Sequence, residues 1–286
     1  MRLRIDLAYD GTDFRGWAKQ PGLRTVQGEL ETALDMILRT TGTTVTVAGR
    51  TDSGVHARGQ VVHVDVDDAA LAGAPGRGES TPAEALRRRL NGVTDDDLRV
   101  VAVSEAPEGF DARFSAVWRR YAYRIADRPE HVDPLSRHHV VAWPRRLDLD
   151  ALNEGAALLV GLNDFASFCR RREGRTTIRN LLELGWDRVD GVLVANVRAD
   201  AFCHSMVRSL VGCLTAIGDG REEPAWAAEV MAGRVRPPNV TVAPPHGLTL
   251  EEVGYPDEAQ MAEQAVATRA RRTLAEHEPD ADDTED

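Results

Sequence analysis

The chain has 286 residues, 42% hydrophobic and 28% charged, with a formal net charge of −11. That is room for one large domain or two of ordinary size; no apolar run approaches a membrane span, and the strand-like N-terminus is no secretory signal, so a cytoplasmic protein is expected. The charge is uneven: residues 257–286 hold ten acids against three arginines, while arginines cluster in the body, so the acidic total does not exclude a polyanionic partner.

Leu3, Ile5, Leu7 and Tyr9 alternate with Arg2, Arg4, Asp6 and Ala8, the period of a half-buried strand. Thr25 then caps a helix over 26–39, whose Val26, Leu30, Ala33, Leu34 and Ile37 share one face. Two β-branched runs, 43–48 and 60–66, flank a turn carrying Asp52, and 69–80 reads as a surface loop. Thr81-Pro82-Ala83-Glu84 is a capping box that opens a helix ending near Asn91-Gly92. A strand at 98–103 completes a β-α-β-β-α-β unit.

The second half repeats this order. Residues 118–125 read as a strand and 149–160 as a helix. Residues 180–186 and 192–199 form a hairpin, followed by helices near 204–217 and 225–232, with a strand at 249–253 closing the sheet. The expected fold is α+β: two tandem ferredoxin-like β-α-β-β-α-β halves, 1–107 and 108–256, with antiparallel sheets and a central cleft. Residues 257–286 form an acidic tail, with a weak helix over 259–274 and disorder after it.

The turn Gly49-Arg50-Thr51-Asp52-Ser53-Gly54 holds a carboxylate at a strand end, with Arg50 and Arg58 as sequence neighbours that would keep it charged. A charged, positioned carboxylate suits covalent attack; a simple turn cap is the plainer use of such an acid. Asp52-Ser53-Gly54 also suggests an aspartic protease, but no second such triplet exists and a flanking cation works against proton sharing. Trp118-Arg119-Arg120-Tyr121-Ala122-Tyr123-Arg124 interleaves rings that can stack bases with arginines that can meet phosphates. It reads almost as well as a strand with core aromatics and solvated arginines, and alternation puts Tyr121 and Tyr123 on one face. The helix near 204–217 is amphipathic and carries Arg208 on its shoulder, with His204 one turn before it. Cys203-His204 is not read as a nucleophile and base. Cys169, Cys203 and Cys213 have no metal-ligand spacing and read as buried reduced thiols. The histidines His131, His138 and His139 do not form a zinc set.

These residues assemble into a known pattern. Gly49–His56 with Gly59-Gln60-Val61 resembles the catalytic motif of the tRNA pseudouridine synthase A family. Tyr9–Phe14 with Gly16-Trp17, Phe110–Ala116 leading into Arg119-Arg120-Tyr121, and Gly161–Phe165 are similar to further motifs of that family. So are Ala201-Phe202 with Met206-Val207-Arg208, and Ala243–Leu248. Ser205 departs from the pattern, standing where a larger polar residue is usual. The resemblance implies an isomerase converting uridine to pseudouridine at positions 38, 39 and 40 in the anticodon stem-loop of tRNA. It implies a homodimer, with one tRNA across both subunits, and no metal or organic cofactor. Residue by residue it implies Asp52 as nucleophile, attacking either the ribose or the base, and Tyr121 packing on the target base. Arg208 would pair with Asp52, and Arg50 would help extrude the base. The arginines of 170–175 are expected at phosphates. A non-catalytic tRNA-binding module is the competing expectation, although binding alone gives no reason to place an acid there.

Overall fold

A computed structural model describes residues 1–73, 81–170 and 176–268. The chain runs β1 (Arg2–Tyr9), α1 (Val26–Leu38), β2 (Thr46–Val47), β3 (His56–Asp65), α2 (Asp68–Ala72), α3 (Pro82–Val93) and β4 (Leu98–Glu105). It continues through β5 (Trp118–Ala126), β6 (Val141–Ala142), α4 (Leu149–Ala157), β7 (Gly161–Asp164), β8 (Ile178–Val189) and β9 (Val192–Ala199). Then come α5 (Met206–Gly218), α6 (Trp226–Gly233), β10 (Leu248–Gly254) and α7 (Met261–Ala267). Among the described residues no helix is long and apolar enough to cross a membrane.

Local signals place these elements. The Thr25 hydroxyl accepts from the Gly28 N–H at the start of α1. At α3 the Thr81 hydroxyl accepts from the Glu84 N–H while the Glu84 carboxylate accepts from the Thr81 N–H, with Pro82 in the first turn. In β1 the inward set Leu3, Ile5, Leu7 and Tyr9 is buried, as its period requires. The expected strand over 43–48 shrinks to the two residues of β2.

The fold is α+β, but its strands form one sheet rather than two. The order is β4-β1-β3-β10-β5-β9-β8-β7, with β2 on β3 and β6 on β5. β10 does not close an edge: it lies at the centre, antiparallel to β5 and parallel to β3, where Thr249 faces His56 and Leu250 faces Ala57. This parallel pair joins the strands of the early chain to those of the late chain, and it explains Gly59. A Cβ on Gly59 would stand 2.3 Å from the Glu251 carbonyl oxygen, so the two strands meet only over a glycine.

α5 differs from the amphipathic helix expected of it. α4, α6 and the short helical turn Ala166–Phe168 pack on it, and every residue of the helix except Arg208 is buried. The cysteine reading is also corrected. Cys169 and Cys203 form a disulfide with Cα atoms 5.6 Å apart, and only Cys213 is a free, buried thiol. The β7-β8-β9 excursion brings together two residues 34 apart in sequence, which spacing alone does not reveal. Part of the expected 69–80 loop is helix α2; the rest, and most of the acidic tail, lies outside the described residues.

Candidate active site

The turn between β2 and β3 that presents Asp52 is held from several sides. The Trp17 N–H donates to the Thr51 carbonyl (3.1 Å), and the Ser53 hydroxyl donates to the Phe14 carbonyl (3.2 Å). The hydroxyls of Tyr9 and Thr51 meet at 2.8 Å, and the buried Gln60 amide donates to the Gly49 carbonyl (2.8 Å) and to Tyr9 (3.1 Å). A Cβ on Gly11 would stand 2.1 Å from the Val55 carbonyl oxygen, so residues 9–17 wrap the turn at backbone distance. His56 accepts from the Gly11 N–H through Nδ1 and meets the His246 carbonyl through Nε2 at 3.0 Å, linking the turn to the segment entering β10.

The Asp52 side chain is 25% exposed. Its Oδ2 lies 3.6 Å from Arg208 Nη1 and accepts from the Ser205 hydroxyl at 3.3 Å; its Oδ1 lies 3.5 Å from His204 Nε2. Arg208 is fixed by its own Nε, which donates to the Ala243 carbonyl at 2.7 Å. The groups at the carboxylate, the Arg208 cation among them, therefore come from the far half of the chain. Arg50 is exposed on the same turn and forms no ion pair with Asp52 among the described residues. Arg58 is not at the carboxylate: it points across the sheet to Glu251 (3.1 Å).

Tyr121 is 6% exposed and packs edge-to-face on Phe202, ring centres 5.1 Å apart. Burial, with the neighbouring Tyr9 and Asp52 behind it, pushes its phenol well above the usual tyrosine range, so it stays a neutral phenol. Tyr123 shares its face but is fully buried, its hydroxyl donating to the Pro244 carbonyl. Alternation leaves this pair undivided; depth along the strand separates the site residue from the core residue. The strand arginines do not present themselves to phosphates. Arg120 pairs with Glu252 and Arg124 with Glu251. Arg119 is buried with no acid partner among the described residues and donates to the carbonyls of Ala48, Arg113 and Asp200. Burial lowers its pKa, and those carbonyls compensate the lost water.

The family match covers the segments that carry Asp52, His204, Ser205 and Arg208, while β5 lies between its two parts. Residues 7–115 and 156–256 match the family model described as tRNA pseudouridine synthase. The chain belongs to that family. It is 56% identical over 277 residues to tRNA pseudouridine synthase A of Streptomyces griseus, covering 96% of this chain and 95% of that protein. Against the protein of the same description from Frankia casuarinae it is 56% identical over 273 residues, covering 95% and 96%. The Mycobacterium leprae protein of that description is 49% identical over 276 residues, covering 96% of each.

Within this synthase family member, sequence reasoning brought Asp52, Tyr121 and Arg208 to one place and misplaced the near-turn arginines. It missed Thr51, Gln60, Phe202 and Arg119 as the frame. Gln60 and Arg119 left a signal: a glutamine beside the apolar run Val61-Val62 and an arginine within an aromatic strand need partners if they are buried. It also missed that His204 and Ser205 touch the carboxylate, since nothing local aims them there.

Proposed function

We propose that the chain isomerises uridine to pseudouridine at positions 38, 39 and 40 in the anticodon stem-loop of tRNA, with Asp52 as the nucleophile. One observation carries the reading: a part-exposed carboxylate stands against the Arg208 guanidinium and near the neutral phenol of Tyr121. The reaction is self-contained. The N1–C1′ glycosidic bond breaks, the base turns, a C5–C1′ bond forms, the C5 proton leaves and N1 gains one, so no redox partner enters. Asp52 adds covalently to the nucleotide and is released at the end. Arg208 supplies the positive charge that complements the carboxylate before and after attack.

The target base must leave its stack, at a cost of a few kcal/mol. Tyr121 offers the ring on which the extruded base packs, and its phenol gives a hydrogen-bond donor rather than a base. Arg50, exposed on the same turn as Asp52 but making no ion pair with it among the described residues, is the residue this reading assigns to the space the base vacates. Of the arginines expected at phosphates, Arg170 is exposed, while Arg171, Arg172 and Arg175 lie outside the described residues. Strand orders β4-β1-β3 and β10-β5-β9-β8 support the reading of two related ferredoxin-like halves, 1–107 and 108–256. A homodimer holding one tRNA across both subunits belongs to the same reading and rests on the family resemblance. Sedimentation with and without tRNA tests it.

The deciding experiment is Asp52→Asn. Pseudouridine in tRNA is scored by carbodiimide reactivity, because product and substrate have equal mass. The variant should lose at least about a thousandfold in rate while its affinity for tRNA stays within a few-fold. Full turnover by Asp52→Asn would remove the proposed nucleophile.

A further inference from the structure

Ser205 has a backbone that serines avoid. It takes φ 63° and ψ 12° at the N-terminal boundary of α5, in the left-handed region. It also declines the usual work of a serine at that place: its hydroxyl accepts from no helix N–H. Instead Oγ lies 3.3 Å from Asp52 Oδ2 and 3.0 Å from His204 Nδ1. The unusual backbone has a geometric consequence, since it turns two adjacent side chains, His204 and Ser205, toward opposite oxygens of one carboxylate. Strained residues of this kind persist where surrounding structure enforces them, and they gather at functional sites.

Donor accounting gives each group a role. The carboxylate only accepts. A hydroxyl has a single proton to donate and lone pairs to accept with. If His204 Nδ1 carries its proton toward Ser205, the serine's own proton is left for Asp52. Arg208 does not replace it: its Nη1 stays 3.6 Å away while its Nε is engaged by the Ala243 carbonyl. The serine is thus the direct hydrogen-bond donor to the carboxylate among the described residues.

We propose that Ser205 is a positioning residue for the proposed Asp52 nucleophile, its hydroxyl aimed by His204 and presented by the left-handed backbone at the start of α5. The proposal rests on the reading of Asp52 given above. The hydroxyl fixes the carboxylate's rotation, so that the oxygen facing His204 is the one presented to the substrate.

The test uses the full-length protein and the variants Ser205→Gly and Ser205→Ala. Glycine accepts the left-handed backbone without strain, and alanine keeps the strain while losing the hydroxyl. Both should fold, and both should slow single-turnover pseudouridine formation roughly ten- to hundredfold, the loss of one hydrogen bond to a charged group. The KM for tRNA should stay within about twofold. In parallel, NMR of labelled histidine, with the His204 signal assigned by its loss in His204→Gln, should show a proton on Nδ1 in the unaltered protein and a shift away from that state in Ser205→Gly. Wild-type rate in Ser205→Gly, or a His204 tautomer that Ser205→Gly leaves unmoved, overturns the proposal. A chain that makes no pseudouridine even unaltered sinks the functional reading instead, and the histidine signal still judges the contact.

Discussion

At the scale of single residues, the site is a carboxylate whose partners come from distant sequence. Asp52 stands out in the sequence as the acid of a glycine-marked turn between two apolar runs, although a turn cap is the plainer use of such a residue. Arg208 stands out as the one cation within a helix of apolar residues. Arg50 and Arg58 mislead. Arg50 and Asp52 lie in the turn between β2 and β3, off the regular period of a strand, and Arg58 lies on β3 facing Glu251, so nearness along the chain says little about nearness to the carboxylate. Arg208 makes two contacts at once, to Asp52 and to the Ala243 carbonyl. Arg208→Ala should therefore lose roughly a hundredfold or more in single-turnover rate and about 1 kcal/mol of stability, read by denaturant unfolding. Arg208→Lys should recover the fold better than the rate, because an ammonium is a point charge without the planar fork that spans both acceptors.

At the scale of elements, helix starts and strand periods were legible because capping and amphipathicity are local. Thr25 and the Thr81–Glu84 box sit where the sequence puts them, and β5 and β9 match their expected bounds to within a residue. The position of β10 was not legible. A short apolar run bounded by glycines carries no mark of whether it belongs at an edge or at the centre, and its pairing with β3 spans nearly two hundred residues. The trace it leaves is Gly59, whose missing Cβ admits the Glu251 backbone. Gly59→Ala should push β3 and β10 apart and cost on the order of 3 kcal/mol, measured as a fall in unfolding midpoint. Since His56 and the His246 carbonyl flank the same seam, pseudouridine formation should fall at temperatures where the variant is still folded.

For the whole molecule, all four tyrosines lie within the folded body and burial raises each phenol above its ordinary value, Tyr9 to about 12. A group whose folded pKa is raised keeps its stabilising contribution below the unfolded pKa and loses it as pH climbs through the folded value. For Tyr9 that window runs from about 10 to about 12, and its contribution is on the order of 3 kcal/mol. Stability should be flat in this respect through neutral pH and fall steeply in the alkaline window. Tyrosinate absorbance should rise together with loss of helical circular dichroism, in one step. Titration of the phenols well before unfolding would contradict the burial.

From its sequence alone this protein's α+β class, most of its helices and strands, its family and the candidate residues Asp52, Tyr121 and Arg208 could be read. All of these rest on local propensity, period or motif, which survive without knowing which segments meet. Tertiary structure alone decided that one sheet runs through both halves, that Arg119 is a buried tie and not a phosphate ligand, and that Cys169 meets Cys203. It also decided that Ser205 and His204, not Arg50 and Arg58, stand beside the carboxylate. Each of these depends on contacts between residues far apart in the chain, where packing, not local preference, sets the distance.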